Sequence, residues 1–155
     1  MLFSNTHFLN PEEKQVVFKL WNQEYPKSLS YSKIDEFDNY LAGLKNSNHV
    51  LVKDERNNIL GWYSDFKRDD ELWFAMILDT SIHEKGIGTR LIERAKKSNK
   101  VLNGWAIDHA KYLKRDGSIY KSPLKFYLKN NFEILQDTRL ELPNLSAVKI
   151  RWTQK

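Results

Sequence analysis

The chain has no cysteine among its 155 residues. That excludes disulfides, thiolate zinc sites and a cysteine nucleophile able to carry an acyl group. Histidine is scarce too, four residues without close pairing, so no pattern points to a structural or catalytic metal. No apolar run approaches the ~20 residues that cross a bilayer. The first residues, Met1-Leu2-Phe3-Ser4-Asn5, lack a basic stretch followed by a long apolar one and do not read as a signal peptide, which makes a cytoplasmic location the expectation. Glycine and proline are few, 6 and 4, so each should mark a particular turn or helix end. There are no repeats and no linker-like tract, and residues 1–155 read as one domain.

What is present is a mild basic excess, 25 Lys and Arg against 20 Asp and Glu, a net +5. Such a charge suits an anionic ligand, but the lysines are spread along the chain in no dense tract. A solvated basic surface is the better account of them, and nucleic acid is not indicated as a partner.

In chain order, Asn10-Pro11-Glu12-Glu13 starts a helix: Asn10 can cap, Pro11 suits the first helical position, and Glu13 can reach back as in a capping box. Val16, Val17, Leu20 and Trp21 follow at helical spacing, and Tyr25-Pro26 ends the run. The pattern predicts a second helix from Ser32, with Ile34, Phe37, Leu41 and Leu44 inward. After Asn46-Ser47-Asn48 the period changes to that of strands: His49 to Lys53, Ile59 to Phe66 and Leu72 to Leu78, joined by polar turns as an antiparallel meander. A helix follows with Leu91, Ile92 and Ala95 inward and Arg90, Glu93, Arg94, Lys96 and Lys97 outward. A strand from Val101 to Ile107 comes next, and should run parallel to Leu72–Leu78 across that helix. Residues 108–121 read as a polar excursion with a turn at Asp116-Gly117. Ser122-Pro123 then starts a helix with Leu124, Tyr127 and Leu128 inward, which Asn131 ends by entering the left-handed region. Phe132 to Glu141 and Ala147 to Trp152 complete the chain as strands.

The chain is organised around residues 71–97. There an apolar strand, Leu72-Trp73-Phe74-Ala75-Met76-Ile77-Leu78, passes through a short link into His83-Glu84-Lys85-Gly86-Ile87-Gly88-Thr89 and then a helix. Glycines allow close backbone approach, and the first amides of a helix have no internal partner. With the helix dipole they suit an anion, most often phosphate. The same residues also suit a plain strand-to-helix turn.

The order of elements resembles the GNAT superfamily of acetyl-CoA-dependent N-acetyltransferases over nearly the whole chain. Two motifs carry the resemblance. His83-Glu84-Lys85-Gly86-Ile87-Gly88 matches the family's Gln/Arg-x-x-Gly-x-Gly/Ala turn, and Phe126-Tyr127-Leu128-Lys129-Asn130-Asn131-Phe132 matches its late aromatic-Tyr-x-Lys-x-Gly-Phe segment. His83 departs from the usual Gln or Arg, Asn131 from the usual Gly, and Tyr120 stands where many members have Asn.

The resemblance implies an α/β (mixed α+β) acyl-CoA N-acyltransferase fold: a central mixed sheet of six to seven strands flanked by about four helices. It implies a transferase that moves an acetyl group from acetyl-CoA directly to a primary amine, with no metal. Coenzyme A would lie in a V between the two parallel strands, its pantetheine arm on the backbone of Ile77 and Leu78. Its pyrophosphate would lie on the turn at His83, Glu84, Lys85, Gly86, Ile87, Gly88 and Thr89, with Lys85 and Arg90 able to add charge. Tyr127 would be the general acid toward the coenzyme A sulfur, and a main-chain N–H near Leu78 would hold the oxyanion. For the base, Glu71, Asp108 and His109 lie at suitable strand ends but read as surface residues, and an ordered water serves in some members. Of Trp62, Tyr63, Trp73 and Trp105, one or two would touch the acceptor. That acceptor is a small-molecule or peptide amine, and a homodimer could form through the C-terminal strands. Two other functions suit the same pattern: a non-catalytic acyl-CoA-binding module, and an acetyltransferase toxin directed at tRNA.

Overall fold

The computed structural model describes residues 1–155. Helix α1 (Pro11–Glu24) begins at the expected capping box: the Glu13 N–H donates to Asn10 Oδ1 at 2.8 Å and the Asn10 N–H to Glu13 Oε1 at 2.9 Å. Helix α2 (Ile34–Ala42) starts two residues later than Ser32, because the Glu36 carboxylate accepts from Ser32 N–H, Ser32 Oγ and Lys33 N–H and holds them outside the helix. Leu44 falls beyond its end, and Phe37 is its one fully buried side chain.

The meander is longer than its apolar pattern. Strand β2 (Lys45–Lys53) takes in Asn46-Ser47-Asn48, which reads as a turn but pairs through a bulge with the far end of β3 (Ile59–Arg68). The next connection shrinks to Asp69-Asp70, both left-handed at φ 52° and 61°, the backbone of a tight two-residue hairpin into β4 (Glu71–Leu78). A strand missing from the sequence reading, β1 (Leu2–Thr6), pairs antiparallel with β2. Helix α3 (Ile87–Ser98) leads to β5 (Val101–Ala106). After the 108–121 excursion come α4 (Leu124–Lys129), β6 (Glu133–Leu142) and β7 (Leu145–Thr153). Asn131 ends α4 at φ 68°, as expected of Asn in that role.

All seven strands form one sheet in the order β1-β2-β3-β4-β5-β7-β6, mixed because β4 and β5 are parallel. Each face has its own core. On one, Leu91 and Ile92 of α3 and Tyr127 of α4 pack on Tyr63, Phe74, Leu102 and Ile150. On the other, Val17, Leu20 and Trp21 of α1 and Phe37 of α2 pack on Leu51, Trp62 and Ile77. Two expected orientations are reversed. Leu128 is half exposed, since α4 is too short to bury a second turn. Lys96, expected outward, folds back so that its ammonium donates to the Asn130 carbonyl at 2.6 Å and lies over the Trp152 ring. No helix is long and apolar enough to cross a membrane.

The α1-side core is bordered by a buried histidine. Trp62 Nε1–H donates to His49 Nδ1 at 3.1 Å, and burial pushes the His49 pKa down to about 4. The unfolded chain binds this proton from about pH 6.5 downward while the folded chain refuses it until about 4. His49 therefore supports the fold fully above 6.5, and its contribution is lost as pH falls toward 4, by roughly 3 kcal/mol at the low end. Denaturant unfolding at neutral pH and again near pH 4 should show that loss. His49→Leu should remove this part of the acid sensitivity, while costing about 1–3 kcal/mol at neutral pH by leaving the buried Trp62 N–H without an acceptor.

Candidate active site

Strands β4 and β5 meet in register at one pair, Trp73 with Asn103, where Asn103 Nδ2 donates to the Leu72 carbonyl at 3.1 Å. No further pair forms toward their C-terminal ends, so that part of the β4 edge is open. Its directions follow from the β3 pairing. The Asp79 N–H donates to the Leu60 carbonyl at 2.8 Å, which flanks the Gly61–Leu78 pair. In an antiparallel ladder Leu78 then turns its own N–H and C=O away from β3, and Met76, two residues back, does the same. Ile77 gives its backbone groups to β3 and its side chain to the α1-side core. A strand added to this edge would pair with Met76 and Leu78, so the backbone role expected of Ile77 passes to Met76. The missed signal is the alternation of a ladder, which needs the register and not only the sequence.

Beyond Leu78 the chain makes a single 3₁₀ turn over Thr80–Ile82, capped by Asp79, whose Oδ1 accepts the Ser81 N–H at 2.9 Å. Glu84 and Gly86 are both left-handed, at φ 61° and 77°, and Gly86 stands at the head of α3. The His83 N–H is used by the Thr80 carbonyl and the Arg90 N–H by the Gly86 carbonyl. Between them, no amide from Glu84 to Thr89 donates to a protein acceptor. The His83 ring turns back, its Nε2–H donating to the Leu78 carbonyl at 2.8 Å. It thereby pegs the turn to the strand end and leaves the Leu78 N–H free. A Cβ on Gly88 would come within 3.0 Å of Phe126, so glycine is what lets the head of α3 close on α4.

These elements enclose a cleft of about 660 Å³. Ile77, Leu78, His83, Glu84, Gly86, Ile87, Gly88 and Thr89 line it, as does Met76; Lys85 does not. Arg90 is turned away, its guanidinium 4.7 Å from the centre of the Phe3 ring. The cations that line the cleft are Lys121, and Lys125 and Lys129 four residues apart on α4. That spacing was legible, but nothing in it tells a cleft wall from a solvated face.

Tyr127 stands behind the lining, its ring packed among Phe74, Phe126 and Phe132. Burial, with Tyr120 close by, holds its hydroxyl well above the usual phenol range, so it is protonated and can act as a donor. Tyr120 and Tyr25 reach the cleft itself, and burial together with the Glu24 charge pushes the Tyr120 pKa up to about 12. None of Trp62, Tyr63, Trp73 and Trp105 lines the cleft. The first three are core residues, and Trp105 packs on Trp73 at 5.2 Å between ring centres.

The three carboxylate and imidazole candidates for a base are engaged elsewhere. Glu71 pairs with both Arg151 nitrogens at 3.1 and 2.8 Å, and Asp108 with Arg139 at 2.8 and 3.1 Å, which holds Asp108 below the usual carboxylate range. The His109 Nδ1 accepts the Lys111 N–H. The buried acid is one the sequence did not single out, Glu24 at the end of α1. It accepts from the Thr80 N–H at 3.0 Å, Thr80 Oγ1 at 2.8 Å, Gln23 Nε2 at 2.7 Å and Lys114 Nζ at 3.1 Å. Burial opposes its charge, but these donors together outweigh it and hold the pKa below the usual value.

No protein-family model and no curated protein matches the sequence. Solved structures do match the fold. An aminoglycoside 6'-N-acetyltransferase complexed with coenzyme A superposes with a TM-score of 0.71 at 16% identity, over 99% of this chain and 97% of that one. The aminoglycoside 6'-N-acetyltransferase of Enterococcus faecium gives 0.69 at 17% identity, over 99% and 97%. A spermidine N-acetyltransferase from Vibrio cholerae, in complex with coenzyme A and spermine, gives 0.68 at 14%, over 98% and 95%.

Proposed function

We propose, from the GNAT fold that this chain has, that it is an acetyl-CoA-dependent N-acetyltransferase acting on a primary amine. The observation that carries this reading is the run of unengaged amides from Glu84 to Thr89, set along a cleft between the end of β4 and the segment that leads into α4. Free amides at a helix head, with Lys121, Lys125 and Lys129 lining the same cleft, suit the pyrophosphate and phosphate of a nucleotide-bearing cofactor. The N–H and C=O groups that Met76 turns away from β3, with the free N–H of Leu78, suit an amide-bearing arm laid along the strand.

Acetyl-CoA supplies the thioester and so the activated acetyl group. Around it the chain's residues bind, orient and move one proton. The Leu78 N–H, whose own residue gives only its carbonyl to His83, would stabilise charge on the thioester oxygen. The Tyr127 hydroxyl, protonated at neutral pH, supplies the proton that the departing thiolate needs. With no cysteine to carry the acetyl group, transfer is direct.

Calorimetric titration with acetyl-CoA tests the reading. Saturable binding with a Kd between about 1 µM and 1 mM is the expected result. No binding at millimolar acetyl-CoA would remove the acetyltransferase assignment and leave the glycine turn as architecture. Because Tyr127 stands behind the lining, an acyl-CoA-binding module without chemistry is the second reading. It requires binding with no release of coenzyme A thiol on any amine, an assay the cysteine-free chain leaves without background.

A further inference from the structure

A second cavity, about 680 Å³, lies between α1 and the 108–121 excursion. It meets the first cleft at one residue, Glu24, which lines both. The carboxylate is buried and pinned by Thr80, just past the end of β4, so a fixed negative charge stands where the two spaces join. Farther from the junction the lining turns basic, with Lys19 from α1 and Arg115 from the excursion. The one other acid there, Asp116, is spent on its own turn, its Oδ1 accepting from the Ser118 N–H and Oγ. Lys114 shows what the junction accepts, since its primary ammonium sits on Glu24 at 3.1 Å.

The cavity thus has one anionic point beside the cleft and an excess of cations beyond it. We propose that it is the acceptor site of the transferase proposed above, on which this rests, and that the acceptor is a zwitterionic amine. Its ammonium would take the place of Lys114 on Glu24, and a carboxylate or phosphonate on the same molecule would be held by Lys19 and Arg115. The ammonium loses its proton before attack, and its nitrogen lone pair forms the new C–N bond as the C–S bond breaks. Both protons released by the amine go to solvent, and Tyr127, having protonated the coenzyme A thiolate, recovers its own proton from solvent. A polycation fits poorly, because its second charge would fall beside Lys19 and Arg115. This sets the chain apart from structural neighbours whose names specify aminoglycosides or spermidine.

The test uses the full chain at saturating acetyl-CoA and reads thiol release. The panel is the free amino acids and 2-aminoethylphosphonate, each beside its uncharged counterpart (carboxamide or alkylamine), with spermidine and putrescine. The expected result is a kcat/KM at least about tenfold higher for an acid-bearing amine than for its uncharged counterpart, and higher than for either polyamine. Carboxylate and phosphonate arms rank the two acid groups. The double variant Lys19→Glu/Arg115→Glu, both exposed positions, should raise KM for the preferred amine at least about tenfold with kcat little changed. It should also improve spermidine as a substrate. Unchanged acetyl-CoA affinity in the variant shows that the fold is intact. Polyamines preferred by the unaltered protein, no turnover of any acid-bearing amine while acetyl-CoA binds, or an unchanged KM in the double variant would each overturn the proposal and leave the transferase reading standing. Failure to bind acetyl-CoA would overturn both.

Discussion

Tyr127→Phe should lower kcat by about 100-fold or more while leaving the acetyl-CoA Kd within about twofold of the unaltered protein. The range expected for losing a positioned proton donor is about 10²–10⁴. The variant removes one oxygen from a ring otherwise held by aromatic neighbours on three sides, so packing is preserved. Single-turnover and steady-state thiol release, with calorimetry alongside, separate the two quantities. Tyr120→Phe is the necessary companion, because Tyr120 lines the cleft and Tyr127 stands behind it. It should cost less than about tenfold. The reverse ranking would transfer the acid role to Tyr120, and turnover unaffected by either change would remove the phenol from the chemistry altogether.

Gly86→Glu should weaken acetyl-CoA binding by at least about 100-fold. At φ 77° any side chain here is strained, a cost of about 1–2 kcal/mol, but its Cβ would meet nothing within 4 Å. The fold should therefore tolerate the change with a drop in Tm of only several degrees. What fails is the ligand. A carboxylate in the midst of the free amides from Glu84 to Thr89 would take those donors and repel a pyrophosphate. Gly86→Ala carries the same backbone strain without the charge and should lose less than about tenfold. If Gly86→Glu binds acetyl-CoA as the unaltered chain does, the phosphates lie elsewhere in the cleft.

The parts of the fold legible in the sequence are those where one local rule suffices. The capping box at Asn10, the meander and the glycine turn, the crossing to a parallel strand and the exit at Asn131 are each written in a few consecutive residues. Strand β1 escaped because Leu2–Thr6 has little alternation and gains its place only by pairing with β2. The site was half legible for the same reason. The turn residues gather on the cleft as expected, all but Lys85. The exchange of Ile77 for Met76 depended on ladder register, and Lys121, Lys125 and Lys129 look like any solvated lysines. Glu24 closes an amphipathic helix as an ordinary surface acid would. Only the docking of α1 against the end of β4 buries it under Thr80 and Lys114.

Trp73 and Asn103 form the single rung that ties Leu2–Leu78 to the rest of the sheet. Through the sheet alone, the chain is nearly two sheets laid edge to edge, with α3 as the strap between them. Each has its own ladders, and the core under α3 and α4, which packs Tyr63 and Phe74 against Leu102 and Ile150, joins them. A molecule that pairs with β4 on one side and fills the gap toward β5 on the other is then a missing strand as much as a reactant. At a concentration of 100 times its Kd it adds about 2.7 kcal/mol to the folded state, and that reinforcement falls on the seam. The substrate that this cleft would consume would then also be the mortar between the two halves of the sheet.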